Sequence, residues 1–234
     1  MCGIVGYTGV RSALDVVLAQ LAGLGPPGEP AAGGWGVAVL ADGGGLGTCV
    51  ADGPLAALDE ALRLRPLPSG GCGLGLAGRP QLDEAGRVAV ALAGEVVNLP
   101  ALTAELTARG HAMRGGDPGE AGAHLFAEAF SSAADPAEAM RQVCRALRGD
   151  FALLALHADA PDTLVAARRG LPLTVGLGVG EALVASDEAA FAAQPTGEVL
   201  RLDGTPGEQV VLLRREWDEV GCEITDAEGG VLRA

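Results

Sequence analysis

The chain has 234 residues, 49% of them hydrophobic, and 30 acidic residues against 16 basic ones give it a formal net charge of −14. That charge excludes a binder that works by releasing nucleic-acid counterions. Every basic residue is an arginine, so lysine Schiff-base chemistry and a P-loop are excluded as well.

No stretch approaches the ~20 apolar residues of a membrane-spanning helix, and the first basic residue is Arg11, so no signal peptide is expected. Cys2, Cys49, Cys72, Cys144 and Cys222 are scattered without CxxC spacing. This argues against a zinc site or a disulfide framework and for a reducing, cytoplasmic setting. No linker or repeat divides the chain, so one domain over 1–234 is expected.

In chain order, Ile4-Val5-Gly6-Tyr7 reads as a buried strand. Leu14, Val17, Leu18, Leu21 and Leu24 recur at helical spacing and predict a helix over 12–24. Gly25-Pro26-Pro27-Gly28-Glu29-Pro30 is a turn or loop. Strands are expected over 35–41 and 46–51, joined at Gly43-Gly44-Gly45, and a short helix over 54–64. Two more strands, 72–78 and 87–93, precede a helix that Asn98 would cap, running to Arg109 and stopping at Gly110. Helices over 119–130 and 135–147 follow. Strands are then expected over 151–157, 163–168, 173–177, 182–186, 198–202 and 209–214, with a short helix at 188–192.

The start of the chain carries the chemistry. Removal of Met1 would leave Cys2 with its thiol and a free α-amino group on one residue, a nucleophile and its base together. Met1-Cys2-Gly3-Ile4 resembles the start of the class II, N-terminal-nucleophile (Ntn) glutamine amidotransferases. The glutaminase domain of glucosamine-6-phosphate synthase is the nearest likeness. Further similar segments are the helix Ala101 to His111, the strand pair from Pro161 to Leu173, and the stretch Val175 to Glu181 with Val184-Ala185-Ser186-Asp187. The resemblance implies an α+β fold, a four-layer αββα sandwich of two antiparallel sheets, with no cofactor and no metal.

It also implies a site. In the resembling family an Asn-Gly pair forms the oxyanion hole, an Arg grips the glutamine carboxylate and an Asp its amino group. Cys2 corresponds to the nucleophile. Gly94 keeps the backbone donor, but Ala93 stands where the Asn side chain would be. Gly78 stands at the arginine position, with Arg79 one residue later; Arg79 is read either as the shifted grip or as a solvated turn charge. Pro118 stands at the aspartate position, with Asp117 one residue earlier, read either as the amino-group grip or as a helix cap. Pro30 to Gly36 lacks the charged and hydroxyl groups of the corresponding family loop, and Trp35 is expected in the core. His124 is expected to pack; His111 and His157 show no partner spacing.

Three readings follow. The first is a stand-alone glutaminase-like domain with a degenerate glutamine pocket, an impaired enzyme or pseudoenzyme partner subunit lacking the isomerase domain. The second is an active glutaminase that uses Arg79, Asp117 and Gly94 to supply ammonia to a separate synthase. The third is an Ntn hydrolase acting on another amide. The expected partner is a synthase or sugar-isomerase subunit in trans, or a second copy of the chain.

Overall fold

The computed structural model describes residues 3–24, 33–192, 194, 197–202 and 207–233. Cys2 and the Gly25–Pro30 turn lie outside the described residues. Two seven-stranded sheets are stacked face to face. Sheet A runs β11 (Glu198–Arg201), β9 (Thr174–Gly178), β10 (Glu181–Ala185), β1 (Ile4–Gly9), β4 (Cys72–Leu76), β2 (Trp35–Leu40), β3 (Leu46–Ala51). Sheet B runs β14 (Val231–Arg233), β13 (Glu219–Asp226), β12 (Gln209–Glu216), β8 (Thr163–Arg169), β7 (Phe151–His157), β6 (Val88–Gly94), β5 (Gln81–Leu82). Neighbouring strands are antiparallel throughout both sheets.

Helices α1 (Ala13–Gly23) and α2 (Leu55–Leu64) cover the outer face of sheet A. Helices α3 (Leu99–Ala108), α4 (Pro118–Ala133) and α5 (Pro136–Ala146) cover that of sheet B. The result is the αββα sandwich, with one apolar layer between the sheets and one beneath each set of helices.

Because both faces of the central strands are covered, they read as continuous apolar runs rather than alternating ones. In β7, Ala152, Leu154 and Leu156 point between the sheets while Phe151, Leu153 and Ala155 lie under the helices. In β4, Leu74 and Leu76 point inward. Gly75 faces α1, and a Cβ there would fall 2.6 Å from Val17 Cγ1, so the glycine sets how closely that helix approaches. Trp35 is in the layer under the sheet A helices, as expected.

The helix starts follow side-chain chemistry. Ser12 accepts a hydrogen bond from the Asp15 N–H, Asp117 from that of Gly119, and Asp135 from that of Glu138. Asn98 precedes α3 but its side chain does not cap it. Its Nδ2 donates to the Ala146 carbonyl at 2.9 Å, and its Oδ1 accepts from the Arg148 N–H at 2.9 Å. The lone asparagine therefore ties the start of α3 to the end of α5.

β5, β13 and β14 have no counterpart among the expected elements. β13 carries Glu219, Glu223 and Asp226 and lies next to the sheet's edge, so its apolar signal is diluted. The β12–β13 turn is built on Trp217, at φ 59°, where no Gly or Asn announces a hairpin.

Candidate functional site

The chain leaves sheet A at Leu76 and enters sheet B at Gln81. This short crossing, with the start of α4, walls a cleft of about 290 Å3 at the end of the sandwich. Its lining includes Leu76, Gly78, Arg79, Gln81, Asp117 and Gly119. Arg79 and Asp117, separated by 37 intervening residues, thus face one cavity with opposite charges.

Each charge is also engaged locally. Arg79 Nη2 donates to Asp52 Oδ1 at 2.9 Å, in an ion pair open to solvent on both sides. Asp117 Oδ1 accepts the Gly119 N–H at 2.7 Å, so it caps α4 while lining the cleft. The loop before it is held by Glu120, which is buried in the first turn of α4. Glu120 accepts the N–H groups of Arg114 at 2.7 Å and Gly115 at 2.9 Å, and Arg114 Nε at 3.2 Å. Burial alone would raise its pKa, but these donors hold the carboxyl below its ordinary value.

The first strand reaches this cleft through its backbone. The Gly3 carbonyl accepts the N–H of Ala77, itself a lining residue, at 2.9 Å. The Ile4 N–H donates to Ser186 Oγ at 3.1 Å. Gly94 ends β6 with φ 112°, and a Cβ there would lie 2.2 Å from the Asp150 carbonyl, so only glycine fits. Gly94 is not among the cleft's lining residues, although Leu92 of the same strand is. Ala93 is 4% exposed and packs into the layer between the sheets.

The segment Pro80-Gln81-Leu82-Asp83, which follows Arg79, has a structural task. Asp83 Oδ1 accepts the N–H groups of Arg87 and Val88, closing the β5–β6 turn. Gln81 and Gly119 in the lining, and Glu120 behind Asp117, were not singled out from the sequence. An acid at the third position of a helix first turn is ordinary there, so nothing local marked the hold of Glu120 on the loop.

The other cysteines are poor nucleophiles. Burial pushes Cys72 up to about 12 and Cys222 up to about 11, and raises Cys144 and Cys49 as well. His124 is buried, as expected of a packing residue, with its ring 5.0 Å from that of His111. This pairing across 13 residues was not expected from the sequence. His157 packs on Phe130 at 4.0 Å between ring centres. Among the described residues no three His, Cys, Asp or Glu side chains gather as metal ligands, and no helix is long and apolar enough to cross a membrane.

Residues 76–193, which span the cleft crossing, β5, β6, the sheet B helices and β7 to β10, match the family model described as "Glutamine amidotransferase domain". The chain belongs to this family. It is a class II, N-terminal-nucleophile type domain related to the glutaminase domains of glutamine–fructose-6-phosphate aminotransferases.

The aminotransferase of Streptomyces coelicolor is 47% identical over 98% of the chain, and that of Thermus thermophilus is 38% identical over 98%. The chain spans only 37% of the length of each of these relatives. Among solved structures, glutamine phosphoribosylpyrophosphate amidotransferase from B. subtilis superposes with a TM-score of 0.76 at 21% identity, covering 100% of this chain and 50% of that one. A glutamine aminotransferase class-II domain protein from Silicibacter pomeroyi superposes with a TM-score of 0.62 at 16% identity, covering 94% of this chain and 98% of that one. These two likenesses concern the fold.

Proposed function

We propose that this amidotransferase domain binds glutamine in the cleft between β4 and α4 and hydrolyses its side-chain amide slowly, with Cys2 as nucleophile. The juxtaposition of Arg79 and Asp117 carries the reading: a cation and an anion on a single cavity suit the carboxylate and ammonium of a free amino acid.

After removal of Met1, the Cys2 amine takes the thiol proton and the thiolate attacks the amide carbon. The family resemblance assigns the tetrahedral oxyanion to the N–H of Gly94, which lies two residues beyond the lining residue Leu92 and outside the lining itself. Collapse expels ammonia, which leaves with the proton held by the amine. Water, deprotonated by the same amine, then hydrolyses the thioester and releases glutamate. Ala93 offers the oxyanion no donor. Loss of one such donor costs about 2.7–4 kcal/mol of transition-state stabilisation, or roughly a hundred- to a thousand-fold in rate. This is the basis for an impaired enzyme.

The partner is a synthase or sugar-isomerase unit that takes up the ammonia. The name of the relatives, isomerizing glutamine–fructose-6-phosphate aminotransferases, supports that choice. Intact mass should show the chain without Met1, and a coupled glutamate assay should show slow release that Cys2→Ala abolishes. Turnover at the rate of an ordinary glutaminase would overturn the impairment. Turnover unchanged by Cys2→Ala would overturn the nucleophile.

A further inference from the structure

Asp52 takes no part in the reaction above, yet it holds the guanidinium of the cleft. It follows β3 directly, and its backbone is pressed against the start of β2. A Cβ on Gly34 would fall 2.8 Å from Asp52 Cα and 2.2 Å from the Ala51 carbonyl oxygen. Gly34 adjoins Gly33, a lining residue. Asp52 is therefore fixed on the rim with its carboxylate 2.9 Å from Arg79 Nη2, although it is not itself part of the lining. The pair is open to water, with side-chain exposures of 58% and 77%. Such pairs are weak and exchange partners readily.

We infer that Asp52 is an internal competitor that sets the domain's affinity for amino-acid carboxylates, by occupying the guanidinium that a ligand's carboxylate must take. The inference rests on the proposed glutamine cleft and adds a specificity determinant to it. A zwitterion that takes Arg79 must share the guanidinium with Asp52 or displace it, so part of the attraction is cancelled. Asp52 on the rim and Asp117 in the lining also set two negative charges against the single positive charge of Arg79. That field opposes a ligand with a second carboxylate, such as glutamate, more than it opposes glutamine. The same contact that weakens substrate binding therefore favours departure of the acidic product.

The test is calorimetric titration of the full chain, carrying Cys2→Ser to stop turnover, with L-glutamine and with L-glutamine methyl ester. Asp52→Asn should tighten L-glutamine binding by about two- to fivefold at low salt, with the gain fading as salt screens the pair. The ester has no carboxylate and should show no gain. Asp52→Ala is the second variant, and the exposed position lets both fold.

L-glutamine binding that appears only in Asp52→Asn would support the inference as fully as a tightened constant. Binding that Arg79→Gln abolishes but Asp52→Asn leaves unchanged would overturn the inference and spare the cleft. Equal tightening of glutamine and ester would also overturn it. No binding in the parent or in either Asp52 variant would overturn the cleft reading and the inference together.

Discussion

Leu76 belongs to two regions built from different materials. On one side it is in the layer between the sheets with Leu154, Leu164 and Val184, each fully buried. On the other it walls a cleft shared with Gly78, Gly119 and two charged side chains, one in an open ion pair and one capping a helix. The layer is over-determined, because each side chain there is held by strands of both sheets. The cleft rests on a few polar contacts, each replaceable at small cost. Substitutions at cleft positions should therefore cost the fold less than substitutions in the layer.

The sharpest way to break that comparison is to make one substitution in each region. Leu164→Ala opens a cavity between the sheets and should lower unfolding free energy by about 2–5 kcal/mol. Arg79→Gln should lower it by less than about 1 kcal/mol. Urea denaturation measures both, and equal losses would show that the cleft carries structural strength the contacts do not suggest.

Ala93 is where the two regions meet, in sequence between the lining residue Leu92 and Gly94 and in space inside the layer. Ala93→Asn should accelerate glutamine hydrolysis, with a ceiling of about 2.7–4 kcal/mol if the amide points at the oxyanion. It should also lower stability by about 1–3 kcal/mol, because a polar group enters an apolar layer. Loss of stability with no gain in rate would mean that the amide is held by the core and that the reaction is limited at substrate binding.

The layers were legible in the sequence and the cleft was legible only by resemblance. Runs such as Phe151–His157 and Cys72–Leu76 announce strands buried on both faces, and periodic leucines announce α1. β13 was missed because Glu219, Gly221, Glu223 and Asp226 interrupt its apolar residues and its turn is made by Trp217. Asn98 was assigned to the right boundary for the wrong reason: a side chain that can cap a helix locally instead reached the end of α5, a contact that no local pattern encodes. Arg79 and Asp117 are ordinary turn and cap residues by local chemistry. Only the folding of β4 and α4 to one cavity brings them together.

Glu120 sharpens the comparison, since it is a buried acid serving the cleft side. Glu120→Gln replaces one acceptor oxygen with a donor facing the N–H of Arg114 or Gly115. The expected loss is about 1–3 kcal/mol. Exchange protection at the Gly115 amide should fall, and Asp117, at the end of the same loop, should lose its fixed position. Weaker glutamine binding with an unchanged Gly115 amide would separate Glu120 from the loop.

The smallest effect expected is a dependence of stability on pH that arises in the layer under α4. Burial holds His124 below its ordinary value of 6.5; nearby His111 and Arg114 lower it further, while Glu120 and Asp83 oppose the shift. His157 is held down in the same way, by burial first and by Arg87, against Asp159 and Asp83. A histidine with a depressed folded pKa binds its proton more readily when unfolded, so acid favours unfolding. The stability present above about pH 6.5 should decline as pH falls from there towards the folded values. A second decline should begin near the ordinary carboxyl value of 4.5, as Glu120 and Glu138, both held low by their donors, take up protons. Urea midpoints at pH 8, 6.5 and 5.5 measure the first window. His124→Leu removes one of the two histidines and should flatten, without abolishing, the slope between pH 6.5 and 5.5. An unchanged slope would assign the dependence to His157 and mean that His124 binds its proton equally in the folded and unfolded states.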